Sequence, residues 1–348
     1  MGLVLAIETS CDDTCAAVVD SAGTILANAI SSQGVHDRFG GVVPEIASRQ
    51  HLTLINLVIS EALSDAGIGL DDVELLAATQ GPGLIGALLV GLSSAKALAA
   101  ARKLPFAPVD HIQGHVAANF LSEDGSEPLQ PPFLCLIASG GHTLLAEVRS
   151  HDGFRVLGRS LDDAAGEAFD KGARMLGLGY PGGPALERLA SGGDPKAYSF
   201  PGAAGDRARG RRGGRGHAFA ESLDFSFAGL KTALLYKVQE IPEAELPARA
   251  PDLAASYQAA IVESLTERSE RALESSGLDR LAVGGGVAAN GALRRRLQDV
   301  GARQLHVPSR KLCTDNAAMI ASAARFTAPI PYPNYLNIDA YATGERPL

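Results

Sequence analysis

Apolar and polar positions alternate in a way that predicts two similar halves. Residues 3–8 (LVLAIE) form a short apolar run closed by Thr9-Ser10, and two further runs, 15–19 and 24–30, follow it. This reads as a strand, a polar turn and two more strands. From Pro44 to residue 66 the apolar positions fall at helical spacing, with Gly67 as the stop. A buried strand is predicted at 73–78, a small-residue helix at 84–100, a short strand at 107–109 and a helix at about 111–121. The pattern then restarts with strands at 133–138, 143–149 and 154–159. Helices are predicted at about 164–176, 184–191, 229–239, 252–275, 290–299 and 314–326, and strands at 280–283 and near 304–307. Strands alternating with helices argue for an α/β fold. Two β-β-β-α-β-α halves match the duplicated actin/hexokinase-like (ASKHA) plan, with two lobes around a central cleft. The Pro/Gly/Ser/Glu-rich stretch at 125–131 places the boundary, giving lobes of 1–128 and 129–348.

Composition narrows the functional class. The chain has 348 residues, 46% of them hydrophobic and 20% charged, enough for a full core and too apolar for disorder. Its net charge of −8 argues against a uniformly basic nucleic-acid binder, so any such contact needs a local patch. The segment from about 201 to 217 supplies one, with Arg207, Arg209, Arg211, Arg212 and Arg215 among glycines. It reads either as a phosphate-contacting arm or as a tolerated loop insertion. Cys11, Cys15, Cys135 and Cys313 are too few and scattered for a disulfide framework. The N-terminus lacks the basic region of a signal peptide, and the uncharged run from Leu84 to Ala95 is too short to span a bilayer. The expectation is a cytoplasmic protein without a membrane partner.

Several clusters carry candidate chemistry. His111 and His115, at i and i+4, share one helix face and suit two nitrogen ligands of a metal. Ordinary surface or core histidines fit the spacing equally well. No glutamate stands between them, so the general base of the zinc-peptidase motif is missing. Asp315 precedes the last helix, either as a cap or as a third ligand. Ser139-Gly140-Gly141-His142 occupies a turn between strands, where bare backbone suits an anion or a simple hairpin. Glu8 to Thr14 forms the matching turn of the first half, with carboxylates placed to hold a cation or water. Gly284-Gly285-Gly286 leads into Asn290, either a ligand contact or a helix cap.

Eight motifs occur together in order: Ile7-Glu8-Thr9-Ser10-Cys11-Asp12, Val43 to Arg49, His111-x-x-x-His115, Ser139 to His142, Ala168-Phe169-Asp170-Lys171, Tyr180 to Pro184, Asp224 to Lys231, and Gly285-Gly286-Val287-x-x-Asn290. Over roughly 3–330 the chain resembles the bacterial tRNA threonylcarbamoyladenosine transferase family, TsaD, formerly called glycoproteases. The resemblance implies transfer of threonylcarbamoyl from threonylcarbamoyl-AMP to the exocyclic amine of adenosine 37, in tRNAs reading codons that begin with A. It implies His111, His115 and Asp315 as ligands of one divalent metal, Fe2+ first and Zn2+ as the alternative. Ala138, Ser139, Gly140, Gly141, His142, Asp170, Gly183 and Asn290 match its substrate-binding positions. Glu187 stands where many members have an aspartate, and the 202–217 segment is longer than in most. Asp12 and His142 are the candidate catalytic residues that help the proton leave. The implied partners are tRNA, a paralogous actin-fold protein (TsaB) and a small P-loop ATPase (TsaE). An actin-fold ATPase or sugar kinase, a metallopeptidase and a non-catalytic scaffold of a modification complex are the competing readings.

Overall fold

A computed structural model describes residues 2–122, 127–201 and 222–342. The arginine-rich stretch Arg207 to Arg215 lies outside the described residues.

The strands are β1 (Leu3–Glu8), β2 (Asp13–Val19), β3 (Ile25–Ser32), β4 (Val73–Gly81), β5 (Phe106–Asp110), β6 (Phe133–Ala138), β7 (Thr143–Ser150), β8 (Gly153–Arg159), β9 (Arg280–Gly284) and β10 (Gln304–His306). They form two five-stranded sheets, ordered β3-β2-β1-β4-β5 and β10-β9-β6-β7-β8. Reading the second list backwards gives the first plan again, with β6 in the place of β1. β1 pairs antiparallel with β2 and parallel with β4, and β6 pairs antiparallel with β7 and parallel with β9. The duplicated α/β fold expected from the two-half pattern is therefore present. Both founding strands are central and covered on each face, so LVLAIE and FLCLIA read as continuous apolar runs rather than alternating ones.

The helices are α1 (Pro44–Asp65), α2 (Ile85–Arg102), α3 (His111–Ala117), α4 (Ala165–Met175), α5 (Gly182–Ala190), α6 (Ala228–Glu240), α7 (Leu246–Ser276), α8 (Gly291–Leu297), α9 (Arg310–Cys313) and α10 (Ala317–Ala324). α1 starts on Pro44, and Gly67 takes a left-handed φ of 66° two residues after its end. α7 begins six residues before the expected 252. Pro251 lies in its second turn, where the missing N–H forfeits only the bond to the Pro247 carbonyl. The helix expected at 314–326 starts three residues later, as α10, and extended backbone at Thr314 and Asn316 separates it from the short α9 before it. α2 is, among the described residues, the one helix long and apolar enough to cross a membrane by length and composition. It packs on β4 and α1, burying Ala87, Leu88, Leu92, Ala95 and Ala99.

The chain divides into two compact units: Met1–Pro131 with Arg149–Phe154 and Pro308–Leu348, and Pro132–Val148 with Arg155–Val307. The C-terminal stretch thus departs from the expected 129–348 lobe and joins the first unit. Backbone pairing explains this. Phe106 and Ile330 exchange N–H···O bonds across the edge of β5, and Tyr341 N donates to the Gln80 carbonyl.

A buried polar network fixes the segment leading into α1. Val43 N–H donates to His36 Nδ1 (3.3 Å), so His36 carries its proton on Nε2 and donates to Gln33 Oε1 (3.0 Å). Gln33 Nε2 donates to the Ala47 carbonyl and to His51 Nδ1. His51 Nδ1 also accepts from Thr14 Oγ1 (2.8 Å), while its Nε2 donates to the Cys11 carbonyl (3.0 Å). The His51 ring must be neutral to accept at Nδ1, and burial lowers its pKa. A depressed histidine contributes stability that is full above its unfolded value of about 6.5 and is lost as pH falls through the folded value. Replacing His51 with Ala should cost about 2–3 kcal/mol at pH 7.5, through two lost bonds and an unpaired Cys11 carbonyl. Urea unfolding between pH 5 and 7.5 should show a shallower acid loss in the variant than in the native chain. Equal slopes would remove His51 from the network's titration.

Candidate metal centre and substrate loops

Strand β5 passes directly into α3. Asp110 ends the strand and caps the helix, its Oδ1 accepting from Ile112 N (2.8 Å) and Gln113 N (3.1 Å). His111 and His115 are buried on one face, with ring centroids 4.7 Å apart. Gly114, between them, lies against α10, where an added Cβ would sit 2.8 Å from Ile320 Cδ1. That close approach carries the extended Thr314–Asn316 link to the histidines. Asp315 Oδ1 stands 3.6 Å from His111 Nε2 and 3.4 Å from His115 Nε2. The cap of α10 is Asn316, whose Oδ1 accepts from Met319 N (3.0 Å), so capping does not occupy Asp315.

The donor set fits a divalent metal. One ligand atom each from His111, His115 and Asp315 lies within 4.8 Å of the others. Both His115 ring nitrogens are buried without a hydrogen-bond partner, a costly arrangement that coordination to a cation relieves at one of them. Two imidazoles and one carboxylate suit Fe2+ or Zn2+. Burial pulls the His111 pKa down, but the Asp315 and Glu8 carboxylates outweigh it and raise the value to about 9. Asp13 is pushed up to about 7, first by burial and then, against a Ser32 hydrogen bond, by Asp315, Asp12 and Glu8. Such crowding of carboxylates favours a positive charge among them. Asp12 lies in this same turn, half-buried, between β1 and β2.

The remaining expected site residues belong to the second unit. The Ser139–His142 turn is closed by Ser139 N donating to the His142 carbonyl (2.8 Å) and His142 N donating to Ser139 Oγ (3.1 Å). Gly166 N at the start of α4 donates to the Ser139 carbonyl, and a Cβ on Gly166 would lie 2.6 Å from that oxygen. Gly140 and Gly141 are different. Both are exposed, neither has a left-handed φ, and a Cβ on either would meet nothing within 4 Å. The fold itself does not require glycine there. Gly285, with φ of 87°, packs so that a Cβ would lie 2.4 Å from the Ala138 carbonyl, tying the glycine turn after β9 to the end of β6.

Three expected substrate residues already have structural bonds. Asp170 Oδ1 accepts from Gly182 N (2.9 Å) and Gly183 N (3.2 Å) at the start of α5. Glu187 Oε1 accepts from Gly291 N (2.7 Å) at the start of α8. Asn290 caps α8 through Leu293 N and donates to Gln258 Oε1 (2.8 Å). Glu187 and Gln258 also line a cavity of about 480 Å³ among α5, α7 and α8. Sequence reasoning missed Gln258 and placed Glu8 only among turn carboxylates suited to a cation or water, not as a partner of His111. The available signal for Glu8 was a carboxylate ending a fully apolar strand.

A twice-repeated β-sheet plan, with a His-His-Asp cluster in one unit and glycine loops in the other, defines an actin/hexokinase-like protein. The chain belongs to the TsaD family, tRNA N6-adenosine threonylcarbamoyltransferase, whose profile it matches over residues 24–322. It is 48% identical over 345 residues to the tRNA N6-adenosine threonylcarbamoyltransferase of Trichlorobacter lovleyi, covering 98% of this chain and 96% of that one. The protein of the same name from Clostridium perfringens is 46% identical over 328 residues, 93% of this chain and 92% of that one. Among solved structures, full-length HypF in its phosphate- and nucleotide-bound form aligns with a TM-score of 0.57 at 13% identity, over 93% of this chain and 55% of that one. Component A of (R)-2-hydroxyglutaryl-CoA dehydratase from Acidaminococcus fermentans aligns at 0.52 and 15% identity, over 94% of this chain and 96% of that one. These distant likenesses show the fold alone.

The α5 start separates a structural glycine from a permissive one. A Cβ on Gly182 would lie 2.6 Å from Asp170 Cα and 2.8 Å from Ala173 Cβ, whereas on Gly183 it meets only Phe169 Cβ at 3.9 Å. Gly182→Ala should therefore lower the melting temperature by several degrees, corresponding to about 1–3 kcal/mol. Gly183→Ala should melt within about a degree of the native chain. Thermal unfolding followed by circular dichroism checks both, and equal losses would contradict the contrast.

Proposed function

We propose that the protein transfers the threonylcarbamoyl group of threonylcarbamoyl-AMP to the exocyclic amine of adenosine 37 in tRNAs reading codons that begin with A. Membership of the TsaD family supports the reading, and the convergence of His111, His115 and Asp315 carries it. Two buried imidazoles and a carboxylate brought together from positions 111, 115 and 315 favour a catalytic protein over a non-catalytic scaffold.

In this reading, His111, His115 and Asp315 hold one Fe2+ or Zn2+. When bound, the metal supplies Lewis-acid polarisation and a fixed positive charge for an anionic donor. The donor is a mixed anhydride and already activated, so the protein needs no nucleophile of its own. Orientation is the larger task, because the amine of adenosine attacks poorly. The exposed backbone at Gly140 and Gly141 offers N–H groups to negative charge, helped by the adjoining start of α4. Gly183 leaves room for the donor, while Asp170, Glu187 and Asn290 hold the α5 and α8 starts in position. Asp12 and His142 are the groups that accept the proton leaving the amine. The cytoplasm is the assigned location, with tRNA as substrate and TsaB- and TsaE-like proteins as the working partners.

The direct test combines purified protein, partner proteins, tRNA, threonine, bicarbonate and ATP, and detects threonylcarbamoyladenosine in the tRNA by mass spectrometry. Modified tRNA is expected, and its absence would overturn the assignment. His111→Ala or His115→Ala should reduce bound metal and product formation together. Full activity in a metal-depleted variant would make the metal structural. Gly183→Val should weaken donor binding while leaving the fold intact. The raised pKa of His111 adds a pH dependence with a definite sign. Below about 9 the ring holds a proton that a metal must displace, so zinc affinity should rise by about tenfold per pH unit from 7 towards 9. Chelator competition at several pH values measures this.

A further inference from the structure

Glu8 ends β1 with its side chain fully buried, and three donors converge on its carboxylate. Ser10 N–H gives a short bond to Oε1. Thr79 Oγ1 donates to Oε2 at 2.6 Å, and His111 Nδ1 lies 3.1 Å from the same oxygen. The backbone amide of Ser10 can only donate. Its position is further locked by the Ser10 carbonyl accepting from Leu84 N (2.9 Å), at a place where a Cβ on Gly83 would lie 2.6 Å from that carbonyl. An ionised carboxylate accepts and never donates, so the ring nitrogen facing it must be Nδ1–H. The other nitrogen, Nε2, is the one that faces Asp315.

We infer that Glu8 is a positioning residue: it fixes His111 in the Nδ1–H form and so presents the Nε2 lone pair to the metal. The inference rests on the metal-site reading above and adds to it the residue that decides which His111 nitrogen binds. Metal-bound histidines commonly donate their second ring N–H to a carboxylate, and loss of that partner typically costs about 10- to 100-fold in metal affinity. Ser10 Oγ, 3.2 Å from His111 Nδ1, is the competing partner, because a hydroxyl can either accept or donate.

Glu8→Gln is nearly isosteric and inverts the logic. Ser10 N–H keeps the amide oxygen at the Oε1 position, which places the NH2 group against Thr79 and His111. Thr79 can turn its hydroxyl to accept. His111 must then accept at Nδ1 and carry its proton on Nε2, where the metal would bind.

The test is zinc affinity of the metal-free full chain by chelator competition at pH 8, with imidazole 15N spectra of the zinc-loaded protein. The His111 signals are assigned by their loss in His111→Gln. The native chain should show zinc on His111 Nε2 with the proton retained on Nδ1. Glu8→Gln should bind zinc about 10- to 100-fold more weakly. Thr79→Val, which removes one donor but leaves the Glu8–His111 contact, should stay within a few-fold of native. If Glu8→Gln does not fold, the native spectrum still decides, since zinc on His111 Nδ1 overturns the proposal. It is likewise overturned by native zinc affinity in folded Glu8→Gln, or by a loss appearing in Ser10→Ala and not in Glu8→Gln. A native chain that binds no zinc or iron removes the metal-site reading itself, and with it this role for Glu8.

Discussion

The packing of α3 against α10 holds both histidines beside Asp315, and Gly114 lies at that contact. A methyl group there would meet the Cδ1 end of Ile320 at 2.8 Å and Met319 Cγ at 3.3 Å, so those two side chains would have to turn aside. A close-packed interior leaves little room for such turns. The Asp110 cap starts α3 and the Glu8 bond holds His111 on it, while the extended link between α9 and α10 delivers Asp315. Geometry at the site thus depends on how closely these two short helices pack.

The repeated sheet plan is used differently in its two copies. After β1 the polar turn carries carboxylates: Glu8 faces the His111–His115–Asp315 cluster and Asp12 and Asp13 crowd nearby. After β6 the corresponding turn carries glycines, and its exposed backbone replaces charge. One copy therefore concentrates negative charge suited to a cation, while the other offers N–H groups suited to an anion. The same strand–turn–strand scaffold supports both because the turn sits at the end of a fully buried central strand. Apolar burial fixes its position and leaves its chemistry open to change.

Most of the strands were legible because continuous apolar runs bounded by turn residues admit few other readings. β6 occupies the residues expected of it, and β1 likewise. The helix starts were less legible where side chains from elsewhere complete them, as Asp170 does for α5. The extended backbone at Thr314–Asn316, where the last helix was predicted to begin, was hidden, since the local sequence gives no sign that the chain must extend to deliver Asp315. The histidine pair and Asp315 were legible as candidates, but spacing alone could not join them across 200 positions. Glu8 shows the limit most clearly. Its partners Thr79 and His111 are 71 and 103 residues away, and no local pattern specifies such a contact.

The return of the C-terminal stretch to the first unit has a consequence for biosynthesis. The second unit, with its own sheet, is in effect an insertion between β5–α3 and the segment that completes their surroundings. A ribosome releases His111 and His115 long before Asp315, so the first unit waits for the third member of that cluster. β5 likewise emerges without its edge partner at Ile330. Until the segment from Pro308 onward is made, that edge and the apolar face destined for α10 are open to other chains. Completion of the first unit is therefore the later event, since every strand of the second lies before Pro308 in the chain.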